Sequence, residues 1–147
     1  MVDDDKRKAR AARKRISVGP LTPKAAADVC RKAERQGWNC AHIDLSGCVE
    51  KQDMLKRIAT ALAFPEWFGG NWDALFDCLA DLSWRPATGH LLLLENADAL
   101  RREAPEVFDT AVAILQDVAI YWSRRDVTFR AFVGVKNSKS TPGRTSH

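Results

Sequence analysis

Apolar and polar positions follow two rhythms along the chain. Helical spacing appears in Val29 and Cys30 with the alanines that follow Thr22-Pro23, and in Met54, Leu55, Ile58 and Leu62. It recurs in Trp72, Leu75, Phe76, Leu79 and Leu82, and again in Val107, Phe108, Ala111, Ile114, Leu115, Val118 and Trp122. Strand character appears in three shorter stretches: 40–45, alternating about Ile43; the continuous apolar run 90–94; and 127–133, where Arg130 interrupts the alternation as on an edge strand.

Turn and cap residues bound these elements. Thr22 offers an N-cap, Pro23 suits the first helical position and Gly37 stops the turn, predicting a helix over 23–36. Asp53 is the expected cap of the next helix, which Phe64-Pro65 ends. Asn71 caps a helix running toward Leu82, because Pro65 and Gly69-Gly70 forbid an earlier start. A turn at 86–89, a helical turn at 96–102 and a long helix opened by Pro105 complete the order. Strand, helix, helix, strand, helix, strand implies right-handed crossovers onto a small three-stranded parallel sheet, an α/β fold with packing helices and no internal repeat.

Charge divides the chain unevenly. The 147 residues, 46% apolar, suffice for one domain with a core, and their net charge is +4. Residues 1–20 hold seven Lys/Arg against three Asp, and 136–147 hold three Lys/Arg and no acid, which leaves 21–135 with 13 basic and 16 acidic residues. The expected division is a basic disordered tail over 1–20, a helical extension over 21–38, the main domain over 39–135 and a flexible tail over 136–147. No apolar run is long enough for a membrane span and no apolar signal segment opens the chain, so a cytoplasmic protein is expected.

Candidate chemistry narrows the function by what is missing. Cys30, Cys40, Cys48 and Cys78 lack CxxC spacing and have three histidines for company, so they read as reduced, partly buried small side chains rather than a zinc site. No GxxxxGK[ST], HExxH, GxSxG or GxGxxG occurs, and no histidine adjoins the acids of the 71–82 helix. Neither an enzyme nor a cofactor is expected. The acids themselves carry information: Asp73, Asp77 and Asp81 share one face, although like charges at i,i+4 cost a helix roughly 0.2–0.5 kcal/mol per pair. No Lys or Arg lies between Glu66 and Leu82 to offset them, and Trp67 and Phe68 precede them beside a Gly-Gly pair. Aromatics next to unpaired acids suit a surface complementary to a cationic groove.

The run Phe-Pro-Glu-Trp-Phe-Gly-Gly-Asn-Trp-Asp-Ala-Leu-Phe-Asp-Cys-Leu at 64–79 resembles the signature of the barstar family, intracellular inhibitors of barnase-type ribonucleases, and the order of elements agrees over roughly 39–135. The resemblance implies a sheet with the 40–45 strand in its middle, and a loop and helix that enter a nuclease active site with their acids in place of substrate phosphates. It would make Asp77 the central carboxylate against the nuclease's Arg and His groups, set Asp73 against a second basic group, and lay Trp67 near the substrate-base or catalytic-His region. Gly69, Asn71 and Phe76 fall at positions it assigns to the interface, although the helical wheel turns Phe76 inward. Trp67 and Phe68 suit either that interface or anchorage on the core.

Departures are Gly70 where the family carries an acid, Asp81 where it carries glycine, and no firm counterpart for a later-helix glutamate, Asp117 being nearest. The expected function is inhibition of, or immunity to, a basic extracellular-type or toxin ribonuclease by a monomer. It would bind through Trp67, Phe68, Gly69, Asn71, Asp73, Phe76, Asp77 and Asp81, with no metal and no membrane contact. The alternative is an RNA- or ribosome-associated module that makes weak nucleic-acid contact through its basic tails and uses the barstar-like domain as a scaffold.

Overall fold

A computed structural model describes residues 2–65 and 69–136. Its elements in chain order are α1 (Val2–Arg13), β1 (Ile16–Gly19), α2 (Pro23–Arg35), β2 (Asn39–Asp44), α3 (Lys51–Leu62), α4 (Trp72–Leu79), β3 (Gly89–Glu95), α5 (Asp98–Glu103), α6 (Pro105–Ser123) and β4 (Thr128–Gly134). The strands form one sheet in the order β1-β4-β3-β2, every pair parallel.

The apolar run of β3 decides the architecture. Leu91 and Leu93 lie under α2 with Ala26, Cys30 and Ala33, while Leu92 and Leu94 join the larger core formed with Met54, Leu55 and Ile58 of α3 and Leu115 and Val118 of α6. A strand buried on both faces belongs in the sheet interior. Position 89 must be glycine for the same reason of crowding, since a Cβ there would sit 2.5 Å from the Trp38 ring.

The sheet has four strands, not three. The fourth is β1, from a segment whose density of Lys and Arg reads as a disordered tail. Its backbone pairs in register with β4, Ile16 opposite Ala131 and Val18 opposite Val133. Alanine and long basic side chains are good helix formers, and α1 buries Ala12 in the main core while Lys8 pairs with Asp126 at 3.6 Å. Only Ala12 and Ile16 of residues 6–20 are buried, too few to form a periodic pattern.

Two strand positions change with it. The 39–44 strand lies at an edge beside β3 rather than in the middle, because the two-sided run of β3 takes the centre. Strand β4 is interior, paired to β3 and β1, and Arg130 is accommodated by lying over the Phe132 ring at 4.9 Å.

Local capping differs at one helix. Glu50, not Asp53, caps α3 by accepting from the Gln52 N–H at 3.1 Å. Asp53 is occupied by a two-pronged pair with Arg57, at 3.1 and 3.0 Å, and the same guanidinium donates to the carbonyls of Asp44 and Ser46. That cation ties α3 to the turn after β2. Thr22 caps α2, accepting from Ala25 N–H at 3.1 Å, and α2 covers one sheet face. The tail expected over 136–147 lies outside the described residues from 137 onward. No described helix is long and apolar enough to cross a membrane.

Two predictions follow from this packing. Ile16→Ala should cost about 2–5 kcal/mol in urea denaturation, as for other buried branched side chains, whereas a disordered tail would give no change. His90 is buried against Trp122, with ring centroids 5.5 Å apart, and burial, reinforced by the Arg85 charge, holds its imidazole at about 4 instead of 6.5. The unfolded chain then binds a proton that the folded chain refuses. His90 leaves stability whole above pH 6.5 and withdraws up to about 3 kcal/mol progressively as pH falls toward 4. His90→Leu should flatten that part of the urea-midpoint profile.

Candidate functional site

Helix α4 is short, and its position is set at both ends. Asn71 caps it, its side chain accepting from the Ala74 N–H at 2.8 Å. Gly70 precedes the cap with φ +71, a left-handed conformation that a side-chain-bearing residue adopts only with strain, and its carbonyl accepts from Gln52 Nε2 at 3.3 Å. Glycine at this position thus serves the backbone turn. Leu75, Cys78 and Leu79 are buried and Trp72 is half-buried, with Lys51 Nζ 5.5 Å from its ring centroid.

The helix ends at Leu79, three residues short of the expected limit at Leu82. Leu82 is buried in a left-handed conformation, φ +46, which no α-helix can continue through. The Leu79 carbonyl, left without a helical partner, accepts from Trp122 Nε1 at 2.9 Å. Trp84 does the same for the Leu62 carbonyl at 3.0 Å and meets Phe64 edge to face. Two indoles, one from α6 and one from the turn before β3, thereby fix the segment around α4.

Asp73, in the first turn, and Asp77 are exposed on the outer side of α4. Asp81 is exposed in the turn after the helix, accepting from Ser83 Oγ at 3.3 Å. Among the described residues none of the three has a Lys, Arg or His within ion-pair distance. Their field is felt inside: the Cys78 thiol is pushed up to about 11 by burial first, then by Asp77 and Asp81.

The helical wheel turns Phe76 inward, and the structure buries it only in part. It meets Tyr121 edge to face at 6.1 Å, and lines a cleft of about 430 Å³ with Asp117, Ile120, Arg124 and Arg125. Arg125 stacks 3.6 Å above the Tyr121 ring. The structure therefore brings Gly69, Asn71, Asp73, Phe76 and Asp77 onto one loop and helix, sets Asp117 beside Phe76, and leaves Asp81 just off the helix. Trp67 and Phe68 lie outside the described residues.

The sequence model of the barstar (barnase inhibitor) family matches residues 38–134, from the residue before β2 to the last residue of β4. The chain belongs to the barstar family. No curated protein matches it. The barstar match takes in β2, α3, α4, β3, α5, α6 and β4, while α1, β1 and α2 lie outside it. The residues that seat α4, namely Gln52, Trp84 and Trp122, fall inside the matched stretch.

Several site features escape sequence reading. The indole caps join residues 22 and 43 positions apart in the chain. Cys30, Cys40 and His42 offer one ligand atom each within 4.8 Å of one another across α2 and β2. A search for CxxC spacing cannot find such a group.

The two polar roles on α4 are separable. Asn71→Ala should cost about 0.5–2 kcal/mol by losing the cap. Asp77→Asn should leave stability equal or higher by a few tenths of a kcal/mol, since it relieves repulsion from Asp73 and Asp81. Urea denaturation checks both, and a loss above 1 kcal/mol for Asp77→Asn would mean that this carboxylate supports the fold.

Proposed function

We propose that the chain inhibits a basic ribonuclease by inserting α4 and its preceding loop into the nuclease's active site, with Asp77 and Asp73 standing where substrate phosphates bind. One observation carries the reading. Exposed carboxylates, unpaired within the chain among the described residues, project from a helix whose opposite face is buried and whose ends are hydrogen-bonded in place. Such a surface is organised before it meets a partner, so little ordering entropy is spent on association. Membership of the barstar family supports the same partner class.

Asp77 is the central group of the proposed contact. Asp73, Asn71 and Gly69 flank it, Phe76 presents an aromatic edge, and Asp117 supplies a further carboxylate across the cleft. Trp67 and Phe68 would extend the contact from the loop, and Asp81 would contribute mainly at long range. Guanidinium and ammonium groups that hold an RNA phosphate accept a carboxylate in the same place through charge-assisted hydrogen bonds. Opposite charge on the two partners speeds encounter and makes it salt-dependent.

A second reading has its own observation. Helix α1 is ordered and exposes Lys6, Arg7, Lys8 and Arg10, a basic face suited to RNA phosphates. In that reading the barstar domain is a scaffold and α1 makes the functional contact.

Titration of the full chain against a panel of small basic ribonucleases tests the proposal. Asp77→Ala should weaken inhibition of the responsive nuclease about 30-fold or more, the effect of a hot-spot residue. Changing Lys6, Arg7, Lys8 and Arg10 together to Gln should leave inhibition within about threefold of wild type, short of the tenfold that 1.4 kcal/mol represents. Inhibition that survives Asp77→Ala and fails with the α1 variant would reverse the assignment in favour of α1.

A further inference from the structure

On the sheet face away from α4, two thiols and an imidazole converge where α2 crosses the edge strand. Cys30 is buried on α2. Cys40 and His42 stand two residues apart on β2, so their side chains point to the same side. Their candidate ligand atoms lie within 4.8 Å of one another. A tetrahedral zinc site with bonds of about 2.3 Å to sulfur and 2.0 Å to nitrogen holds its ligand atoms about 3.5–3.8 Å apart. Binding would draw the imidazole and the two thiols together by at most about 1.3 Å.

A fourth residue makes the group more than a chance meeting of cysteines. Glu95, at the end of β3, brings Oε1 to 3.4 Å from His42 Nδ1. A carboxylate at Nδ1 favours the tautomer whose proton sits there and whose Nε2 carries the free lone pair. Histidines that bind metals are oriented by this kind of partner. The pair is reached through the register of β2 on β3, which sets Asp44 opposite Glu95 and His42 opposite Leu93.

We propose that Cys30 Sγ, Cys40 Sγ and the His42 imidazole bind one Zn²⁺ between α2 and β2, with Glu95 orienting the imidazole and water completing the tetrahedron. Coordination displaces the two thiol protons to solvent, and the resulting dithiolate neutralises the dication. A neutral site is compatible with the half-buried position. Soft thiolate donors select Zn²⁺ over Mg²⁺ or Ca²⁺. The ion would fasten α2, which lies outside the barstar match, to the exposed edge of the sheet. The proposal is independent of ribonuclease inhibition, because α4 lies on the other face.

Titrating the reduced full-length chain with Co²⁺, then displacing it with Zn²⁺, tests this directly. One Co²⁺ per chain should bind with the intense visible bands of a tetrahedral ion and a thiolate charge-transfer band in the near ultraviolet, both removed by stoichiometric Zn²⁺. Cys40→Ser should abolish the charge-transfer band or reduce it severely. His42→Ala changes an exposed residue and should fold normally while losing at least tenfold in affinity, and Glu95→Gln should lose about tenfold, as for other residues that orient a ligand. Cys48→Ala, outside the cluster, should retain the full signal. Zn²⁺ should raise the thermal midpoint of the wild type and leave that of His42→Ala much less affected. Absence of a thiolate band in the wild type, or a band unchanged in Cys40→Ser and His42→Ala, would overturn the proposal.

Discussion

Burial of β3 on both faces is the constraint on which this structure depends. A parallel strand with leucines on both sides is stable only if each face is covered, and the chain supplies the covers from different directions. The helix α2, which precedes the matched barstar stretch, takes one face, and the helices that follow β2 and β3 take the other. Once both layers are in place, α4 has one position left to it, on α6 and beside α3, with its acids turned to water. The site is in this sense a by-product of the layering, held by Asn71 at one end and by the Trp122 indole at the other.

Much of this order is legible in the sequence because each feature announces itself locally. Pro23 and Pro105 mark the starts of α2 and α6, Asn71 after two glycines marks α4, and the run 90–94 marks a strand buried on both faces. The misreadings occur where a side-chain partner or a distant strand decides. Arg57 takes Asp53, leaving Glu50 to cap α3. Strand β1 contributes four residues and one buried isoleucine, a signal too short to stand out from seven surrounding cations, and its identity comes from the β4 backbone beside it. Cys30 and Cys40 are ten positions apart, and nothing in that spacing shows that the fold sets them together.

Charge takes a different form once α1 is folded. The basic residues form the exposed side of a helix packed on α6, the same helix that supports α4 from another side. The protein thus displays cations on one support of α6 and carboxylates on another, and its overall charge of +4 describes neither surface. Arg124 and Arg125 lie between these regimes. Arg125 is committed to the Tyr121 ring and to the Tyr121 carbonyl, which limits how far its charge can swing toward the acids.

The pairing of β1 with β4 links Ile16 to Ala131, so the sheet acquires its outer edge from opposite ends of the described chain. During synthesis β1 emerges first and has no partner until β4 has been made. In the interval the segment from 6 to 19 is a highly charged chain with a single isoleucine, poorly suited to aggregate while it waits. Its density of lysine and arginine, which hides the strand from a reader of the sequence, also protects the nascent protein until the last partner arrives.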